Sequence, residues 1–554
     1  MADNDMMSWI TEAKKEFNAR WDVMDKVRDL VYMEDYQLKG TSGKFKNKAI
    51  DGAVNVTMNT AAIHANTIAS TLMEGKWQTV IEGKLPSSKS HKVEEFIDNV
   101  WTEIDERLIT SGNPILHAWN CNHITVRGLI GGRFLWRKYT EGPLSGTAYP
   151  DYLTIDMRWC VYENDYLGIK KAGYFNKRRA SDIMDEYNVT LKDGLHDVWV
   201  AYDRESEYVY VNNNLVAQKK HGFGYIPMII STVPAGFMLR DDGWREYDSP
   251  DALFMNLKLY NEQNRSVSIT QTGAMTLIRP SYQKEVAEKG GEPPPYPNPI
   301  GDVIEVLKGE PYTPLQVKDT NAAHQIGMNL IDKAVEEGGL PGLGLGTWTS
   351  NNPPSGAAIT AMSEIRAKVL NPRLEALASF RSSLARMILN QWSTGGYGGE
   401  LGQAGLKTSY SAGDLGDPND YNISYRLMSR SKVQEIANIS IAAAARPYYS
   451  LDSILRNIVM TDDPEGEIAK LEAERAEQAY PAMFFLRKAL ALARSAKESS
   501  DTEREQKYLE AYMLTKKCVQ MLESEGLQAL PEGELKEPKP TGNIMPLTSG
   551  LGVS

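Results

Sequence analysis

With 554 residues the chain is too long for one hydrophobic core, and about three to four compact regions or one elongated multi-part subunit are expected. Its 42% hydrophobic and 24% charged residues, with a mean hydropathy of -0.41, exclude a disordered or membrane-embedded protein, and the longest apolar run, IANISIAAAA, falls short of the ~20 residues of a membrane span. A net charge of -11 and a pI near 5.4 exclude the basic footprint of a protein that grips nucleic acid.

The N-terminus, MADNDMMSWITEAKKEF, mixes acids and bases without an apolar signal core, which predicts a protein that stays in the cytoplasm where it is made. Residues 8–35 read as an amphipathic helix, followed by the polar loop LKGTSGKFKNKAIDG and a second helix over NVTMNTAAIHANTIASTLMEG. Another helix is expected at 90–109, and HAWNCNHITVRGLIGGRFLWRKY passes from helix to strand at Gly128. The alternating runs YLTIDMRWCVYEND and VWVAYDRESEYVYVNNNLVAQ predict strands, the latter with a hairpin turn at Arg204 to Ser206. Residues 1–248 therefore form an α+β body.

Ser249 suits an N-cap and Pro250 the first helical position of a stand-alone helix, where Leu253, Leu257, Tyr260 and Val267 recur at helical spacing. Its polar residues, among them Asn256, Asn261, Gln263, Asn264 and Gln271, predict packing by a narrow stripe. A proline-dense interval with one short strand, DVIEVL, follows. The helix TNAAHQIGMNLIDKAVEEG then returns, with Ile326, Leu330 and Ala334 on one face.

After the loose stretch GGLPGLGLGTWTSNNPPSG, a helix from about Ser355 to Trp392 carries Ile359, Met362, Ile365, Val369, Leu377, Phe380, Leu384 and Ile388 at three- and four-residue spacing. Pro372 inside it removes one backbone hydrogen bond and predicts a kink near Asn371. Beyond a glycine-rich hinge come a strand, YNISYRLM, a helix opened by the Ser431/Gln434 capping box, and another capped by Asp463 with Pro464 at its first position. From about Pro531 the composition is that of a disordered tail.

Along the same path, each segment that superficially suits catalysis lacks a required feature. KGTSGKFK lacks the glycine spacing and the Ser or Thr of a phosphate-binding loop, because Phe45 follows Lys44. GLPGLGLGT follows a helix, not the strand that a dinucleotide loop requires. His117 and Cys121 share a helix face, but His123 points elsewhere and no further ligand pair accompanies them. The carboxylate pairs in TDDPEGE and RDDGWRE fit capping and turns. Cys121, Cys160 and Cys518 stand at no redox or metal spacing. The expectation is a protein with no enzymatic activity, no cofactor and no metal.

The order of parts, an α+β body, a helix out, a proline-rich excursion, a helix back, a loose loop, a long kinked helix and a helical C-terminal region, resembles the portal protein (head–tail connector) of tailed bacteriophages. YIPMIISTVPAG followed by SPDALFMNLKLYNEQNRS looks like that family's lead-in to its first stem helix. PPSGAAITAMSEIRAKVLNPRLEAL looks like its passage from tunnel loop to long wing helix, and SILRNIVMTDDPEGEIAKLEAERAE like its C-terminal helical segment. The resemblance implies an elongated subunit. Its parts would be a wing at 1–248, a first stem helix at 249–280, a clip at 281–318, a second stem helix at 319–341 and a tunnel loop at 342–356. A long wing helix with a strand return at 357–430, a helical crown at 431–530 and a tail at 531–554 would complete it.

It also implies a homo-oligomeric ring, usually a dodecamer, in the virion at the portal vertex of the capsid. Double-stranded DNA would pass through its channel during packaging and ejection. The implied partners are the terminase large subunit, then head–tail adaptor or tail proteins, the major capsid protein and a scaffolding protein. The tunnel loop facing the DNA would present Thr347, Trp348, Thr349, Ser350, Asn351 and Asn352, with no lysine or arginine, and Lys258, Arg265 and Lys333 are the candidate cations lining the stem. Twelve copies at -11 would carry about -132, a field that discourages DNA from sticking to a conduit. The alternatives are another structural virion or scaffold protein without a DNA channel, and a nucleotide-dependent enzyme.

Overall fold

A computed structural model describes residues 3–40, 46–83, 85–139, 145–234, 251–278, 282–286, 303–307, 320–338, 356–403, 405–428, 439, 441–459, 461, 464–497 and 501–525, and they form a mixed helix-and-sheet, α+β chain. Helix α1 (Asp3–Val31) buries Met6, Ile10, Ala13, Trp21, Met24 and Val27, the three- and four-residue recurrence of one helical stripe. Helix α2 spans Thr60–Met73 and begins later than the sequence predicts. Strand β1 (Lys76–Gly83), helix α3 (Ser87–Thr110) and helix α4 (Leu116–Val126) follow. Gly128, at φ 73°, then turns the chain from α4 into β2 (Leu129–Lys138), as expected of a residue free of a Cβ.

Strand β2 pairs antiparallel with β3 (Ala148–Ile155) and with β9 (Met228–Thr232). Gly132 lets the Tyr152 ring lie where a Cβ would stand. Between these come β4 (Cys160–Asp165), β5 (Gly168–Arg179), the short helix α5 (Ala180–Tyr187), β6 (Leu195–Tyr202), β7 (Ser206–Val211) and β8 (Asn214–Lys220). The strands form an antiparallel meander in sequence order. Asp203 fixes the predicted turn at 204–206 by accepting from the Glu205 and Ser206 amides, and Asn212 and Asn213, both at positive φ, make the two-residue turn into β8. The inner face of the meander, with Val198, Tyr202 and Val209, shares a core with Ile10 and Trp21 of α1.

Helices α6 (Leu257–Ile278) and α7 (Thr320–Gly338) bracket a parallel strand pair, β10 (Tyr282–Val286) with β11 (Val303–Leu307). The sequence predicts only the second strand. Helix α8 (Gly356–Thr394) runs 39 residues, about 58 Å, and continues as helix through Pro372. Of its predicted stripe, Leu377, Phe380, Leu384 and Ile388 are buried and with Trp392 meet Phe96, Phe134 and Trp136 in the largest core, while the side chains of Ile359, Met362, Ile365 and Val369 lie outside those described. Gln391 is buried there because it serves β2 from both ends of its amide: its Oε1 accepts from Trp136 N (3.2 Å) and its Nε2 donates to Phe134 O (3.1 Å).

Strands β12 (Gly398–Leu401) and β13 (Thr408–Ser411) form a small antiparallel pair, while β14 (Tyr421–Met428) returns to pair antiparallel with β1 over eight residues. A short helix, α9 (Leu451–Ile454), follows. Contacts divide the chain after Asp462. The second unit contains α10 (Pro464–Ala479), α11 (Pro481–Lys497) and α12 (Asp501–Glu525). Pro464 opens α10 as predicted. In the α11–α12 hairpin Ala482, Ala489 and Ala496, seven residues apart, and Ala511 and Cys518, also seven apart, are the buried seam.

Candidate functional site

The segment that the sequence singles out as the stem is a helical hairpin. Asn256, at the head of α6, donates through Nδ2 to Val335 O near the end of α7 (2.8 Å), and Gln263 Nε2 donates to Asp332 Oδ1 (2.9 Å). Early α6 residues meet late α7 residues, so the two helices run antiparallel. The expected start at Ser249 is not where α6 begins. Residues 249 and 250 lie outside the described residues, and Asp251 diverts the chain instead: its Oδ1 accepts from Leu253 N (2.7 Å), Ala252 N is tied to Thr125 O (2.8 Å), and a 3-10 turn at Phe254–Asn256 precedes the α-helix.

The polar residues of α6 have a use that the expected narrow stripe does not describe. Asn264, Ser268 and Thr272 form an i, i+4, i+8 row, and their side-chain oxygens accept from Met58 N (2.8 Å), Val56 N (2.9 Å) and Val54 N (3.0 Å). Same-side amides of an extended chain repeat every two residues, about 6.6 Å, while a helix repeats every four residues over about 6 Å. The near match allows three consecutive bonds. From the other side of this segment, Thr57 Oγ1 accepts from Tyr36 N and Asn55 Oδ1 from Leu38 N. Residues 54–58 are thus extended, which corrects the helix predicted to start at Asn55. The row of hydrogen-bonding side chains at four-residue spacing was the available signal.

His64 Nδ1 lies 2.7 Å from the Tyr260 hydroxyl and braces α2 against the hairpin; burial lowers the imidazole pKa and pushes the phenol up to about 12. Asp251 is buried beneath the hairpin, and desolvation raises its carboxyl to about 6 against the opposing pull of the Leu253 amide and Arg373.

The three stem cations are not brought together. Lys258 and Arg265, seven residues apart, share the α6 face opposite Asn256 and Gln263, and Arg265 pairs with Glu262 at 3.1 Å. Lys333 lies on the far face of α7, with Ile326 and Leu330. That face corrects a second expectation. Ile326 and Leu330, read as a packing stripe with Ala334, are 61% and 62% exposed, while Ile331, Asp332 and Val335 make the contact with α6. The tunnel-loop residues Thr347, Trp348, Thr349, Ser350, Asn351 and Asn352, and the tail from 531, lie outside the described residues.

A cleft of about 480 Å³ opens where α1, α2 and α4 meet, lined by Arg28, Tyr32, Asn66, Trp119, Asn122 and His123 among others. Trp119 and His123 stack at 4.3 Å, and burial lowers His123 to about 4, leaving it neutral. Arg127 at the cleft floor is spent on Asp156, by two bonds of 3.1 and 2.9 Å, and on Met24 O. His117 and Cys121 do share a face, with Sγ 3.5 Å from Nδ1, and both are desolvated: the imidazole falls to about 4 and the thiol rises to about 12. Trp77 Nε1 donates to the same imidazole. Among the described residues no group of three potential metal ligands occurs, and no helix is long and apolar enough to cross a membrane.

No protein-family model matches the chain, and no curated protein matches it significantly.

Proposed function

We propose that this chain is the subunit of a portal ring, a channel at one capsid vertex through which double-stranded DNA enters during packaging and leaves during ejection. The observation that carries the reading is the antiparallel α6–α7 hairpin: a helix out, a strand pair, and a helix back, joined to an α+β body by side chain to backbone bonds. The hairpin is the stem, β10 and β11 belong to the clip that meets the terminase large subunit and later the adaptor or tail proteins, and α8 is the long wing helix. The outward apolar pair Ile326 and Leu330 supports packing against neighbours in the ring, since a helix in a lone subunit gains nothing from exposing two adjacent aliphatic side chains.

The acidic balance fits a conduit. A surface that neutralises 6 to 10 phosphates changes its DNA affinity on the order of 10³- to 10⁵-fold between low and moderate salt, and such grip opposes sliding. Native mass spectrometry with negative-stain electron microscopy of the purified chain tests the reading. Rings of about a dozen copies with an axial opening are expected. A stable monomer or compact dimer at all concentrations, with and without a scaffolding protein, would overturn it.

A further inference from the structure

Among the described residues of the second unit, one side of the α11–α12 hairpin carries exposed apolar side chains. On α12, Tyr508, Leu509, Tyr512 and Met513 are 43%, 65%, 66% and 65% exposed, although Ala511 and Cys518 on the same helix are buried in the seam. Leu486 and Leu490 on α11 lie on the same side of the hairpin and extend the patch. Together these six side chains expose on the order of 700 Å² of largely apolar surface, beyond the few hundred of an ordinary monomer and close to the ~800 Å² that each partner contributes to a standard interface.

The order of residues along the stripe identifies the occupant. About a centre between Glu510 and Ala511, an antiparallel copy of α12 sets Leu509 opposite Tyr512, Tyr508 opposite Met513, and exposed Glu505 opposite exposed Lys516. The four central apolar residues meet one another and each end charge meets its opposite, twice over by symmetry, while Val519 beyond them falls opposite Thr502. A stripe that faced solvent, or an unrelated partner, has no reason to be complementary to its own reversal.

We propose that α12 is a twofold self-docking surface, closed by α12 of a second copy of this chain in the antiparallel register that pairs Glu505 with Lys516. A twofold contact joins copies in pairs and does not propagate around a cyclic ring, so it is separate from the contacts of the proposed channel and does not depend on that reading.

The test is sedimentation equilibrium of the full-length chain carrying Glu505→Lys, Lys516→Glu, or both. Each single swap should weaken pairing roughly tenfold, because symmetry makes two like-charge contacts of it, and the double swap should restore it. Leu509→Asp should abolish pairing with the far-ultraviolet circular dichroism unchanged. Mixed Leu509→Cys and Tyr512→Cys proteins should cross-link to each other under mild oxidation. Absence of pairing in the unmodified protein, or a double swap that pairs no better than the single ones, would overturn the proposal. Rings seen by electron microscopy should survive all of these variants, so loss of pairing and loss of the ring are read separately.

Discussion

Asp251 holds a carboxyl group where charge is poorly solvated. Its folded value of about 6 lies above the ordinary 3.8, so its contribution to stability is fully present below pH 4 and is lost as pH rises towards 6. The difference corresponds to about 3 kcal/mol. Asp251→Asn, which keeps an oxygen for the Leu253 amide, is expected to flatten this fall; urea midpoints at pH 4 and pH 6.5 check it. Gln391 is a second residue whose worth lies in its partners. Gln391→Leu leaves Trp136 N and Phe134 O unpaired in the core and should cost about 2–4 kcal/mol in chemical denaturation. Sequence periodicity identified the apolar stripe of α8 on which Gln391 stands, but not the amide itself, because a glutamine in a helix reads as a solvated position until the strand beside it is known. The shared face of His117 and Cys121 was legible, since four-residue spacing on a helix is a local property.

At the scale of elements, the side-chain row on α6 makes a prediction of its own. Ser268→Ala removes the acceptor of the Val56 amide and should cost about 1–3 kcal/mol locally, with faster hydrogen exchange at Val54, Val56 and Met58 and little change in α8. The hairpin was readable because a proline-dense interval separates two stretches of helical periodicity. Its orientation was not. Ile326 and Leu330 look like a packing stripe on any helical projection, and only the bonds of Asn256 and Gln263 show that the other face of α7 is the inner one. Strand β1 was missed for a related reason: KWQTVIEG buries Gln78 and Thr79 beside Val80 and Ile81, so polar and apolar residues do not alternate with burial.

For the whole molecule, the mixed α+β composition was legible, and so was one turn of the five-stranded meander, at 204–206. The three-stranded sheet and the β1–β14 pair were hidden, since nothing local in a strand names a partner hundreds of residues away. The charge balance yields the prediction proper to this scale. The purified assembly should bind linear duplex DNA weakly at 50 mM salt, and raising salt should change its affinity less than about tenfold; a steep slope in a filter-binding titration would mean basic rings that the net charge of -11 conceals.

Strand β14 also sets a clock on biosynthesis. Ile81 of β1 waits for Ile423 and Tyr425, and at 5–20 residues per second a ribosome needs on the order of 20–70 s to make the intervening chain. During that interval the nascent chain carries an open strand edge over a half-built core, and every release factor, protease or chaperone nearby meets it in that state. A polypeptide ending before Tyr421 never leaves it. Premature termination within the first three quarters of the message would therefore give an aggregating fragment, not a shortened subunit, and so would remove the product from assembly before it could poison a growing oligomer.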